Sequence, residues 1–147
     1  MYSSLKPSQR MAVIGAVNPQ SATTVQVTGW LSAKNFLNFL AIINVGALGA
    51  SATVDAKVQQ ATDGSGTGAK DITGKAITQL TKASTNDNSQ VMINLKQEDF
   101  DIANNFNYFQ VSVTPAVAAC LVGVIVLGVD PCYAPGAAAA SVLQTVN

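Results

Sequence analysis

QQATDGSGTGAKDITG, residues 59–74, decides how the chain is read. Three glycines alternate directly behind a strand-like run, and Lys70 follows two residues after the last of them. A phosphate-binding loop here would make this a nucleotide-binding α/β protein; a plain turn leaves it all-β. A Walker-type loop needs G-x-x-x-x-G-K-[ST], because successive amides wrap the phosphates while lysine and a hydroxyl engage phosphate and magnesium. Gly64 is instead followed five positions on by Ala69, then Lys70 and Asp71, so a carboxylate stands where the hydroxyl belongs. The dinucleotide pattern G-x-G-x-x-G fails too, since Gly64, Gly66 and Gly68 are spaced two and two. No helical period follows; ITGKAITQLT alternates. Asp63 and Asp71, with Ser65 and Thr67, are the candidate calcium ligands, but no Glu stands at the EF-hand distance. The favoured reading is a glycine-tipped loop between two strands.

Working outward, the period of two recurs along most of the chain. ATVDAKVQQ (52–60) sets Val54, Ala56 and Val58 inward against Asp55, Lys57 and Gln59. KAITQLTKA (75–83) resumes the pattern behind the loop. Upstream, MAVIGAV (11–17) precedes the turn NPQS, and TTVQVTGWL (23–31) places Val25, Val27 and Leu31 on one face and Thr24, Gln26, Thr28 and Trp30 on the other. NFLNFLAIINVGAL (35–48) would also stripe a helix, but its β-branched end and Gly46 favour a central strand. SQVMINLK (89–96) aligns Val91, Ile93 and Leu95; QEDFD (97–101) reads as a helical turn or a corner. FNYFQVSVT (106–114) sets Phe109, Val111 and Val113 against Tyr108, Gln110 and Ser112. ACLVGVIVLGVD (119–130) is apolar on both faces, as a strand covered on both sides would be, with Gly123 and Gly128 marking bulges or close backbone approaches. About eight short strands at regular spacing, with no long helix, predict a β-sandwich or barrel.

Composition narrows the function classes. The chain has 147 residues, enough for one domain; 48% are apolar, only 11% are charged, and eight basic residues cancel eight acidic ones. Neither nucleic acid nor an anionic membrane finds a long-range attraction here. A charge-poor surface also opposes self-association weakly. The longest apolar run, residues 117–129, is too short to span a bilayer as a helix, and MYSSLKPSQRM lacks the apolar core of a signal peptide. There is no histidine, which removes the commonest zinc ligand, the usual base near neutral pH and every nucleophile–histidine pair. Cys120 reads as a buried inert thiol and Cys132 as accessible in the turn DPCYAP. No cofactor is expected.

Two further groups merit a functional test. Glu98, Asp99 and Asp101 form an acidic cluster, but they are neighbours in sequence on a corner and read as a solvated turn, not as paired glycosidase carboxylates. Trp30, Tyr108 and Tyr133 are candidate interface residues. With Phe106 they could alternatively stack on a sugar, as in a carbohydrate-binding module.

The segments TVDAKVQQATD, GTGAKDITGKAITQLT, INLKQEDFD and GVDPCYAP resemble small virion structural proteins of tailed bacteriophages and phage-derived gene-transfer particles, a likeness running over roughly residues 5–135. It implies a jelly-roll-like β-sandwich of about eight mostly antiparallel strands. The span of the strand pattern itself divides the chain into an N-terminal arm (1–10), the sandwich (11–133) and a C-terminal tail or arm (134–147). The resemblance further implies a non-enzymatic role on the capsid exterior, as a decoration protein or the base of a head spike. The implied partners are the major capsid protein, further copies of the chain and a spike or fibre protein, with synthesis in the bacterial host cytoplasm. A tail or neck component is the alternative within the same class. The family brings no catalytic residues to carry over, and Cys132 stands where an unspecialised polar or basic residue is expected.

Overall fold

Alternation becomes strand almost wherever the sequence carries it in the computed structural model, which describes residues 5–146. A single helical turn α1 (Pro7–Arg10) leads into β1 (Met11–Ala22). There follow β2 (Gln26–Val27), β3 (Leu31–Ser32), β4 (Phe36–Leu48), β5 (Thr53–Ala61), β6 (Lys70–Ala76), β7 (Leu80–Thr81), β8 (Ser89–Lys96), β9 (Tyr108–Ala116) and β10 (Cys120–Pro131). Two 3-10 turns, Gln97–Asp99 and Ile102–Asn104, fill the acidic corner between β8 and β9.

The strands form two sheets, β1-β10-β4-β8 and β2-β9-β5-β6, with β3 also pairing β9 and β7 also pairing β5. All these pairings are antiparallel. Treated as one interrupted strand each, β2 with β3 and β6 with β7 leave eight strand positions. In chain order the first then pairs the last, the second the seventh, the third the sixth and the fourth the fifth. That is one long hairpin rolled up, with the first, eighth, third and sixth positions in one sheet and the second, seventh, fourth and fifth in the other. This order is the jelly roll, a double-sheet arrangement that leaves few long edges unprotected.

The core lies between the sheets and is built from the alternate residues the pattern marks. Ile43, Val45, Val54, Val58, Phe109, Val111, Val113 and Val126 are fully buried. Four phenylalanines close one end: Phe39 meets Phe109 at 4.9 Å between ring centroids, Phe100 at 5.9 Å and Phe36 at 6.3 Å, edge-on contacts that rings prefer over stacking face to face. The side-chain amide of Gln97 donates to the carbonyls of Ala33 and Phe36, tying the corner to the start of β4. Gln60 is buried, and its side-chain oxygen accepts from the Asp101 amide at 2.9 Å, so this buried polar group is satisfied.

Four expectations change. NPQS is no turn: β1 continues through it to Ala22, and a register shift against β10 between Val17 and Gln20 absorbs Asn18 and Pro19 within the strand. TTVQVTGWL is no continuous strand: Gly29 interrupts it at φ 76°, and Val25 and Val27 are exposed while the Thr28 hydroxyl accepts from the Val111 amide at 3.0 Å. Backbone satisfaction of an edge segment overrides its apolar pattern there. KAITQLTKA is likewise broken, because the strand starts earlier, at Lys70, and stops at Ala76 before the short β7. Finally, β10 is covered on one side only: Leu121 and Ile125 on its other side are exposed. Of its two glycines, Gly128 is a close approach, an added Cβ falling 2.6 Å from the Phe36 ring. The irregularities in pairing fall elsewhere, in β1 and between Cys120 and Val122.

Candidate docking face

The glycine loop is shaped by its own residues. Residues 62–69 connect β5 to β6, and the Asp63 carboxylate accepts from the amides of Ser65 (2.9 Å) and Thr67 (3.0 Å) and from the Thr67 hydroxyl (2.6 Å). These bonds, the Thr67 hydroxyl foremost, hold the Asp63 carboxyl below its ordinary range. The amides that a phosphate would need are thus turned onto an internal carboxylate. Each of the alternating glycines faces an aromatic ring. A Cβ on Gly64 would lie 3.5 Å from Tyr108, one on Gly66 2.5 Å from the Trp30 indole nitrogen, and one on Gly68 3.9 Å from Phe106. The loop lies on a shelf of three rings, and at Gly66, with φ 86°, both the backbone and the indole demand glycine. Lys70 adds its ammonium over Phe106, 4.0 Å from the ring centroid.

Trp30 and Tyr108 are half-buried under this loop, so two of the three aromatic candidates are partly covered by the chain itself. Tyr133 is apart from them and exposed in the C-terminal segment. Asp71, the other calcium candidate, is engaged elsewhere, accepting from Lys57 (2.8 Å) and Gln59 (2.8 Å). These two bonds, Lys57 first, lower its carboxyl below the usual value. No cluster of three or more His, Cys, Asp or Glu side chains able to hold a metal occurs among the described residues. The acidic corner is dispersed as well: Glu98 pairs with Lys96 at 3.0 Å, Asp99 with Lys75 at 2.9 Å and Asp101 with Lys70 at 2.6 Å.

Charge is divided between the two sheets. On the outer side of the six-stranded sheet Asp55 accepts from Gln79, Lys57 meets Asp71, and Gln110 donates to Gln59, a polar ladder open to water. The outer side of the four-stranded sheet is different. Registered pairing lines up Ala16, Ile125, Ile42 and Met92 in one row across β1, β10, β4 and β8, and Val13, Leu127, Leu40 and Asn94 in another. Gly123, Asn44 and Gln90 make a further row, in which Gln90 donates to Asn44 at 2.9 Å. None of these residues is charged; charge begins at the rim, with Lys96. Met92 is 63% exposed and Ile125 47%. A depression of about 670 Å³, floored by Ile42, Leu121 and Ile125 and walled by Pro19 and Gln20, opens on this face.

Alternation alone does not reveal this surface, because hydrophobicity on both sides of β10 implies burial on both sides. Its signal was nevertheless present: Leu40 and Ile42 are apolar on the outer side of β4, and Met92 interrupts the polar side of β8.

No protein-family model matches the sequence, and no curated protein sequence matches it. Among solved structures the chain is similar to one of tobacco necrosis virus at 14% identity, covering 85% of this chain and 95% of that one, with a TM-score of 0.38. It is similar also to an empty virus-like particle of cowpea mosaic virus (13% identity, 92% and 86% covered, TM-score 0.41). A naturally occurring empty particle of the same virus gives 13% identity, 90% and 88% coverage and a TM-score of 0.41.

Proposed function

We propose that the chain is a non-enzymatic structural protein of a virus particle. In this reading it decorates or stabilises the phage head, or forms the base of a head spike, by contacts with the major capsid protein and with its own copies. The observation that carries the proposal is the division of charge: one sheet face is polar and self-paired, while the other offers rows of uncharged, partly apolar side chains. A face without charges meets a partner surface without the cost of stripping water from ions. The sequence resemblance over residues 5–135 points the same way. So does the jelly roll, an architecture shared by capsid proteins and lectins, although fold alone does not assign function. The carbohydrate-binding alternative is weakened, because the glycine loop covers part of Trp30 and Tyr108.

Co-sedimentation with particles that lack the protein tests this. Wild-type chain is expected to bind, and Ile125→Lys to bind at least about tenfold more weakly, since an unpaired buried ammonium costs well over ~1.4 kcal/mol. Equal binding by Ile125→Lys would refute the assignment of the docking face. Electron microscopy of native particles locates the chain: symmetric density on the shell or vertices supports the head, and density on the tail alone moves it to the tail or neck.

A further inference from the structure

We propose that the C-terminal segment, residues 134–146, docks on the uncharged sheet face of a second copy of the chain. The inference rests on the reading of that face as a docking surface and names one of its occupants. Among the described residues, the three most exposed large apolar side chains are Leu143 (95%), Tyr133 (89%) and Val146 (85%), all in or next to this segment. No charged residue occurs from Pro131 onward. An uncharged segment with bare apolar side chains complements an uncharged face with bare Met92, Ile125 and Leu121, because neither side has an ion to desolvate.

The attachment of the segment also favours another copy. The Ala139 amide donates to the Val13 carbonyl at 2.7 Å, tethering the segment to β1 at the edge of the four-stranded sheet. A turn follows, with the Val142 amide donating to Ala139 at 3.0 Å. Beyond it, residues 143–146 make no backbone hydrogen bond to another described residue. The segment borders its own face only at the β1 end, where Val142 and Thr145 share a hollow with Val13 and Leu127; Leu143 stays in solvent, and Ile125 and Met92 stay exposed. The contact joins two different surfaces, so copies either exchange segments in pairs or link into rings.

Light scattering coupled to size exclusion under reducing conditions, over ~10–100 μM protein, reads the outcome. Intact chain is expected to be oligomeric, and three variants monomeric: deletion of 134–147, the double substitution Leu143→Asp/Val146→Asp, and Ile125→Lys. Thermal melts identify any variant that fails to fold; the double substitution alters only exposed side chains and serves as the second route if the deletion misfolds. Mixing Ile125→Lys with a tail-defective variant restores a one-to-one complex, because one partner keeps a sound tail and the other a sound face. A monomeric intact chain overturns the proposal, as does an oligomer that survives tail removal or the absence of complementation. Particle binding is scored separately: if Ile125→Lys loses particles while mass stays unchanged, the tail proposal falls and the docking face stands. If mass changes while particle binding persists, the tail proposal stands and the face docks copies of the chain, while its assignment as the particle-binding surface falls.

Discussion

Gly66 carries the loop's geometry through the side chain it lacks. Alanine there meets a backbone at φ 86° and places a methyl 2.5 Å from the Trp30 indole nitrogen. Gly66→Ala is therefore expected to destabilise the protein by roughly 2 kcal/mol, combining backbone strain with overpacking. Gly74, at φ 76° with nothing within 4 Å of an added Cβ, isolates the strain alone; Gly74→Ala should cost about half as much. Denaturant midpoints measure both, and equal losses would show that the ring contact contributes nothing. At this scale the sequence was legible in part. The break at Asp71 excluded a phosphate loop, but the rings beneath Gly64, Gly66 and Gly68 come from segments 36–44 residues away along the chain.

The pairing of β5 with β6 sets the acid response of its outer face. Asp71 bridges the two strands through Lys57 and Gln59, and these bonds lower its carboxyl below the ordinary value. A carboxylate depressed on folding contributes stability above its unfolded pKa of about 3.9 and loses that contribution as pH falls through the folded value. Stability should therefore decline below about pH 4. Asp71→Asn should make that decline shallower, as seen by comparing denaturation midpoints at about pH 3 and pH 6. An unchanged slope would mean that the bridge is too solvent-screened to matter. Elements with one clean buried stripe, β5, β8 and β9, were readable from alternation. The segment at 23–31 was not, because Gly29 and the Thr28 hydroxyl redirect an edge strand whose pairing partner, β9, lies far along the chain.

Across the whole molecule, the pairing of the first strand with the last makes folding a long-range event. Cys120 reports on it: fully buried, it lies in register with Ala22 of β1 and Leu48 of β4, and burial pushes its thiol up from the ordinary value. Cys132 is exposed. Thiol labelling of the native protein should modify Cys132 at once and Cys120 at least roughly a thousandfold more slowly, through global opening. Comparable rates would mean that β10 detaches on its own. The period of two, the turn residues and the want of charge and histidine determined by themselves an all-β chain without nucleotide chemistry, because each is a local property or a plain count. Only the tertiary structure decided that the strands roll into a jelly roll, that β10 shows one apolar side to water, and that three aromatics meet the glycine loop. Those outcomes depend on which distant strand comes to lie beside or above another, and a pattern within one strand holds no record of its neighbour.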